Sequence, residues 1–473
     1  MAADSPRIFI QNPHHSYGKE FVRIFASKYG LKSVCSYTDE RDAKVWLPRH
    51  PSLLTNDVAA SLYSPPANVE SLIEFLQANY NIVAAIPHNE IVLANTVRIN
   101  EALGLDWVPA KTMRRFRNKE SLKEFVRQQD PNLGISPTVI VRDVRDVREA
   151  MDANGFKKVV IKPNDGWGNL GVGFFDTASS DSDVGAFLAE IGDHDALLEE
   201  FFGGREFYSC GQVDARGDVT TFALFETIKG AANGRSNIDF EVRLIHTTDP
   251  VFDVLMDFSA GVVRATGLTR SPFHVDLKLD DGVPKLIEMG ARMVGDSRAY
   301  DLNHVHGGGL NVFDLSAHYY LNEQPYGDIG LDWDRYDAMA FRSVQGINDH
   351  AQRLYAFGGA KRVESLREFV RWAHEPEVGD PLPVTLDLLS APWQVTVQAE
   401  SEPALDAVSR NIRRTLTINK VTSPLKRSAL KAKSLLPGVR RQFKLRTSPI
   451  KLIHVPENPP KALTAGLNAA GGE

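Results

Sequence analysis

Residues 158–176, KVVIKPNDGWGNLGVGFFD, run a β-branched segment into a lysine and then place four glycines in the next eleven positions. Gly166, Gly168 and Gly171 spell G-x-G-x-x-G. A dinucleotide-binding turn needs the third glycine to open a helix whose N-terminus meets the pyrophosphate. Here GVGFFD follows, which reads as strand. A kinase loop wants valine two residues past the third glycine, but Gly173 stands there, and neither H-R-D nor D-F-G occurs elsewhere. The Gly-Lys pair of SYGKE (16–20) is followed by Glu20 in place of the hydroxyl residue of a P-loop. What survives is strand, Lys162, glycine loop, strand. Such a loop can lay backbone N–H groups over phosphates while the lysine supplies a point charge; a plain hairpin turn is the alternative.

The 473 residues suffice for two to four domains. Two cysteines, Cys35 and Cys210, make neither a disulfide framework nor a metal cluster and point to a reducing, cytoplasmic setting. The N-terminus MAADSPRIFIQNPHH lacks the basic and apolar regions of a signal peptide, and no apolar run reaches membrane-span length, so no membrane is expected as a partner. The net charge of −6 names no partner. Its distribution is uneven: no acidic residue occurs from Ala407 to Pro456, where Lys420, Lys426, Arg427, Arg440, Arg441 and Lys451 lie. Without aromatic interleaving or a nucleic-acid motif, the run reads as a solvated extension rather than a nucleic-acid surface.

Along the chain, strands are expected at 7–11, 32–37 and 81–86, and helices at 17–29, near 68–79 and after Pro87 up to Gly104. This β–α alternation implies a small parallel-sheet domain. Asn118 caps a further helix. Strand signals then recur at TVIVR, KVVIKP, VGFFD, ALLEEFF, EFYSCGQVD and TFALFE. A helix follows that stops at Gly267, then a hairpin over 273–289, a helix at GLNVFDLSAHYYL, and further α/β patterning to about 419.

The hairpin carries the strongest chemistry. With its turn near Gly282, Asp276 faces Glu288 on the same side of the sheet. Opposed like charges destabilise a hairpin unless a divalent cation sits between them, and hard oxygen ligands completed by phosphate suit Mg²⁺. Two solvent-facing carboxylates are the alternative, and a one-residue slip in register would separate them. In LLEEFFGGREF, Glu199 and Glu206 flank two glycines and could accept from an adenine amino group and ribose hydroxyls, or could be ordinary turn charges. Arg292 could meet a phosphate or carboxylate through two donors, or join a surface ion pair. His274 shares the carboxylate face of the hairpin, suited to substrate contact or to a structural hydrogen bond. NHVHGGG at 303–309 lacks the partners of a zinc set.

In their order and spacing these residues resemble the ATP-grasp superfamily, most closely its carboxylate–amine ligases of the L-amino-acid ligase type. The resemblance covers about residues 1–420 and is densest over 117–296. It implies an α/β (α+β) ATP-grasp fold. An N-terminal parallel-sheet, Rossmann-like pre-ATP-grasp domain (1–105) would precede a small subdomain with the glycine loop (106–197) and a large subdomain with the metal hairpin (198–325). A C-terminal α+β subdomain (326–420) and a basic extension with a disordered end (421–473) would follow. ATP would meet Lys119, Lys162, the loop around Gly168 and Gly171, Glu199 at the adenine, the backbone of Glu200, Phe201 and Phe202, and Glu206 at the ribose. Asp276 and Glu288 would hold Mg²⁺, or Mn²⁺ in its place. Arg243 falls where a relative carries a third phosphate-binding lysine, and Arg292 would hold the reacting carboxylate or its phosphate. Gly290 replaces the asparagine that many members use as a further ligand, which leaves the metal count at one or two. The implied reaction joins a small-molecule carboxylate to an amine through an acylphosphate, in a protein compatible with a homodimer. A carboxylase, a formate-using ligase of nucleotide biosynthesis and a non-catalytic nucleotide-binding protein share the same motifs.

Overall fold

The strands of the N-terminal sheet are buried along most of their length. Pro6–Gln11, Lys32–Tyr37, Val58–Tyr63 and Asn81–Ala85 pair in parallel, with Pro6–Gln11 between Lys32–Tyr37 and Asn81–Ala85. Both faces are covered, as parallel sheets require. Ile8, Ile10 and Cys35 pack on Phe21 and Phe25 of helix Gly18–Tyr29. Phe9, Val34, Ala60 and Leu62 pack on Leu72 and Leu76 of helix Val69–Asn79. This computed structural model describes residues 5–15, 17–39, 51–65, 68–105, 110–166, 171–192, 194–295, 298–420, 431 and 451–454.

Two features of this sheet escape a periodicity reading. Val58–Tyr63 (VAASLY) is weakly β-prone by composition, yet it is a strand, with Ala60 and Leu62 buried in the cluster that holds Leu72 and Leu76. Lys451–His454, inside the expected basic extension, adds antiparallel to Val58–Tyr63 at the sheet edge. The remainder of 421–473, apart from residue 431, lies outside the described residues, including the expected disordered end.

The second sheet is antiparallel, in the order Thr138–Val141, Ala196–Glu200, Lys158–Pro163, Gly173–Asp176. Helices Val144–Asn154 and Asp181–Ile191 back it, capped by the side chains of Asp143 and Ser180. Val147, Met151, Val159, Ile161 and Leu198 give it a core of its own.

The third sheet has eight strands, in the order 283–290, 271–280, 205–213, 219–232, 235–244, 340–345, 394–399, 369–374. This sheet runs across the expected boundary near 325: Ala340–Gln345 of the C-terminal region pairs with Arg235–Leu244. Helix Phe252–Thr266 covers this sheet and ends on Gly267, whose φ of +68° is the left-handed cap that glycine adopts without strain.

Candidate active site

A cavity of about 780 Å³ opens where the three sheets approach one another. Lys162 and Glu199 from the second sheet, Asp276 and Glu288 from the third, and Glu90 beside the first all line it, with Lys119, Arg292 and Gly166.

The carboxylate pair sits as the hairpin reading predicts, by a less direct route. The turn is Asp281-Gly282, with φ of +48° and +78°, the type I′ geometry of a two-residue hairpin. Counting back from that turn alone, Asp276 would face Ile287. A register shift between Asp276 and Leu277 absorbs one residue of the opposite strand, so Leu277 pairs with Leu286 and Asp276 with Glu288. The two carboxylates lie at the cavity wall with 31% and 33% of their side chains exposed. Burial, and then the facing Glu288 charge, push Asp276 up to about 8. Glu288 is held below its usual range because the Lys119 and Lys162 charges outweigh its burial. Lys119 Nζ lies 3.5 Å from Glu288 Oε2 and also donates to the carbonyl of Gly166.

Among the described residues, no group of three or more His, Cys, Asp or Glu side chains converges as a metal set. A cation here would take two protein carboxylates and fill its shell from oxygens outside the protein, which is how Mg²⁺ is held beside phosphates. The reason for Gly290 is steric. His274 pairs with Gly290 across the hairpin, and a Cβ on residue 290 would fall 2.2 Å from His274 Cε1. The imidazole occupies the space an asparagine side chain would need. Burial pushes His274 down to about 4, so the ring is neutral.

Glu199 is not an open acceptor. Its two oxygens meet Lys123 Nζ and Lys162 Nζ, each at 2.6 Å, and all three side chains are at most 8% exposed. Burial alone would raise Glu199, but the two lysines bring it to about 2. Burial draws Lys123 down to about 8, whereas Lys162 is raised because Glu199 and Glu288 outweigh its burial. Glu206 is likewise paired, with Lys229 Nζ at 2.6 Å and Lys278 Nζ at 3.7 Å. Lys278 also donates to the carbonyl of Phe202 at 3.1 Å.

No protein-family model matches the chain. Dapdiamide A synthase of Enterobacter agglomerans is 26% identical over 242 residues, 49% of this chain; the match spans 55% of that protein's length. An L-amino acid ligase from Bacillus licheniformis superposes with a TM-score of 0.68 at 19% identity, over 88% of this chain and 99% of its own. A biotin carboxylase from Campylobacter jejuni, solved with β,γ-ATP, gives 0.60 at 12% identity over 91% and 95%. The biotin carboxylase domain of Hydrogenobacter thermophilus 2-oxoglutarate carboxylase, solved with MgADP, gives 0.61 at 14% identity over 90% and 94%. The chain has the ATP-grasp fold.

Within the ATP-grasp cleft, Lys119, Lys162, Glu199, Glu200, Phe201, Phe202, Glu206, His274, Asp276, Glu288 and Arg292 all line the cavity. Gly171 adopts φ +67°, and a Cβ there would press the Pro163 ring at 3.1 Å. Gly168 lies outside the described residues. Arg243 is a correction: it does not line the cavity. Its Nε and Nη2 reach Glu226 Oε2 at 2.7 and 2.6 Å, and Glu226 also binds Arg205. Lys229, one strand over, faces the cavity instead. Sequence reasoning missed Lys229 and Lys123. Lys123 follows Lys119 by one helical turn, an i,i+4 spacing that puts both on one face and could have flagged it.

Proposed function

We propose that the protein is an ATP-dependent carboxylate–amine ligase that forms an amide or peptide bond through an acylphosphate. The observation that carries this reading is the meeting, in one cavity, of Lys119 and Lys162, the opposed Asp276–Glu288 pair, and Arg292. A substrate carboxylate oxygen attacks the γ-phosphorus of ATP, and ADP leaves. An amine nitrogen then attacks the acyl carbon of the acylphosphate, phosphate departs, and the nitrogen loses a proton.

Both steps move negative charge onto oxygens, so fixed positive charge is the main requirement. Lys119 and Lys162 supply it at the phosphates, and Lys229 takes the third position in place of Arg243. Arg292 holds the reacting carboxylate. Asp276 and Glu288 would hold Mg²⁺, which when bound neutralises phosphate charge and polarises the transferring group. The backbone of Glu200 to Phe202 reads the adenine edge, and Glu206 the ribose. The acid and the amine are amino acids or compounds like them, a reading supported by the dapdiamide A synthase and L-amino acid ligase likenesses.

The test is an ADP-release screen over amino-acid pairs, with bicarbonate and formate as separate arms and product masses recorded. A product equal to acid plus amine less water supports the ligase. ADP release driven by bicarbonate or formate instead would replace it with a carboxylase or formate ligase. ATP binding without turnover in any arm would make the protein a nucleotide-binding regulator.

A further inference from the structure

The amide-forming step needs a proton acceptor that the residues named so far do not supply. A nitrogen attacking an acyl carbon grows more acidic as the C–N bond forms, and a base in reach of its proton speeds such a step by about 10²–10⁴-fold. The carboxylates of the cavity are engaged elsewhere. Glu90 accepts from Arg292 Nε at 2.5 Å and from Arg117. Glu199 and Glu206 are held by lysines, Asp239 lies 3.7 Å from Lys229 Nζ, and Asp276 and Glu288 form the opposed pair. Glu200 accepts from the Ser136 hydroxyl at 3.1 Å. Among the described residues two imidazoles line the cavity, His15 and His274. His274 is closed in beside Gly290, with 8% of its side chain exposed.

His15, half-buried, is presented by a turn that leaves it little freedom. The turn leaves strand Pro6–Gln11 at Asn12, whose φ of +50° is the left-handed conformation that asparagine tolerates. Asn12 is pinned on three sides. Its N–H donates to the Ser36 carbonyl at 2.7 Å, its Oδ1 accepts from the Thr38 N–H at 3.0 Å, and its Nδ2 donates to Thr38 Oγ1 at 3.0 Å. The His15 N–H then donates to the Asn12 carbonyl at 3.0 Å, and the Gly18 N–H to the His15 carbonyl at 3.2 Å. The imidazole ends a row of three rings. Buried Tyr37 stacks on His14 at 5.5 Å between centroids, and His14 lies 4.0 Å from His15.

The same turn lies at the end of the cavity where the acid would be held. Tyr17 donates from its hydroxyl at 2.8 Å to the carbonyl of Val294, two residues past Arg292. Asn89, Glu90 and Arg292 line the cavity together with His15. The titratable and charged groups at this end are His14 on the turn itself, buried His88 and Glu90 where helix Glu90–Ala102 begins, and Arg117 and Arg292 on Glu90.

We propose that His15 is the catalytic base of the amide-forming step. As the amine nitrogen bonds to the acyl carbon, its proton passes to an imidazole nitrogen of His15. The C–O bond to phosphate breaks with its electron pair left on the phosphate oxygen. The imidazolium releases its proton to water and the phosphate takes one up, so amine and acylphosphate give amide and hydrogen phosphate. An imidazole suits this work because it exchanges a proton near neutral pH. Acylphosphate formation makes no use of it. The proposal rests on the ligase reading.

The experiment uses His15→Ala and His15→Gln of the full chain, with the amino-acid pair that gives product in the screen and with saturating ATP and Mg²⁺. Amide formation is measured across the neutral pH range. Hydroxamate formation is measured with hydroxylamine in place of the amine. Hydroxylamine is a strong, weakly basic nucleophile, so it reports how much acylphosphate is made while asking little of a base. His15→Ala is expected to lower kcat for the amide by about 10²-fold and hydroxamate formation by no more than about threefold. At saturating amine the acid limb of kcat should be lost in both variants, and added imidazole should restore part of the rate to His15→Ala. Equal losses of amide and hydroxamate, an unchanged amide rate, or an acid limb that persists in both variants would overturn the assignment while leaving the ligase standing. Falls in melting temperature and ATP affinity that match the loss of amide would also overturn it and give His15 a structural role. A wild type that binds ATP but forms neither product with any pair would overturn the ligase reading and the base together.

Discussion

Glu199 and Asp276 are two carboxylates in one cavity, displaced in opposite directions. Glu199 is bracketed by two lysines and brought to about 2; Asp276 faces Glu288 and is pushed up to about 8. The difference lies in what each lacks. The Glu199 cluster has one acid for two lysines, all deeply buried, and the acid's charge is met within the protein. The hairpin pair has two acids in register and open to the cavity, with Lys119 only at 3.5 Å. A cluster whose acid is already met is architecture, holding Lys162 at a set point in the cavity wall. A charge-deficient pair is an invitation to a cation. Proximity to the cavity does not separate the two; the balance of charge does.

The sharpest way to break this contrast is Glu288→Gln. It removes one ligand and relieves the like-charge contact, so ligation should fall by about 10³-fold or more while the melting temperature holds or rises. Steady-state ADP release and calorimetry read both; more than a few per cent activity at saturating Mg²⁺ would sink the cation assignment. Glu199→Gln should do the reverse, stranding two buried lysines and costing about 3–5 kcal/mol of stability. Urea unfolding measures it, and an unchanged midpoint would show that the cluster is not structural.

Lys162→Ala tests the link between the two regions. The phosphoryl step should slow by about 10²–10³-fold, with ATP affinity largely kept through the adenine and ribose contacts. A variant that raised only KM for ATP would make the lysine a ground-state contact. Smaller again is the effect of cation on the folded state. Mg²⁺ at a hundredfold its dissociation constant should add about 2.7 kcal/mol to the wild type. Asp276→Asn should abolish most of that gain, and Glu199→Gln should not.

The pH response sharpens the comparison at the acid end. Glu199 binds its proton more weakly folded than unfolded, so its contribution is present above its unfolded value near 4.3 and is lost as pH falls towards about 2. Acid unfolding followed by circular dichroism should show this limb in the wild type and a flatter one in Glu199→Gln.

Much of this site could be read before any coordinates. Lys162, Asp276, Glu288 and Arg292 stand out from local patterns, a strand running into a glycine loop and an alternating hairpin with an arginine after it, whereas the role expected of Lys119 comes only with the family resemblance. Such patterns depend on neighbours within a dozen residues, where the backbone period alone decides which side chains share a face. Even there the Asp276–Glu288 pairing stands on a bulge that the residue count does not reveal. What tertiary structure decided is what depends on contacts between distant segments. Arg243 turned to Glu226 and left the cavity to Lys229, because neighbouring strands of one sheet can send equally basic side chains to different partners. Lys123 became a buried partner of Glu199 across 76 residues of chain. Lys451–His454 joined a sheet begun at Pro6. Glu90 met Arg292 across 202 residues. Local sequence determines which chemistry each segment can offer; only the packing of segments decides which charges are already met and which remain for a ligand.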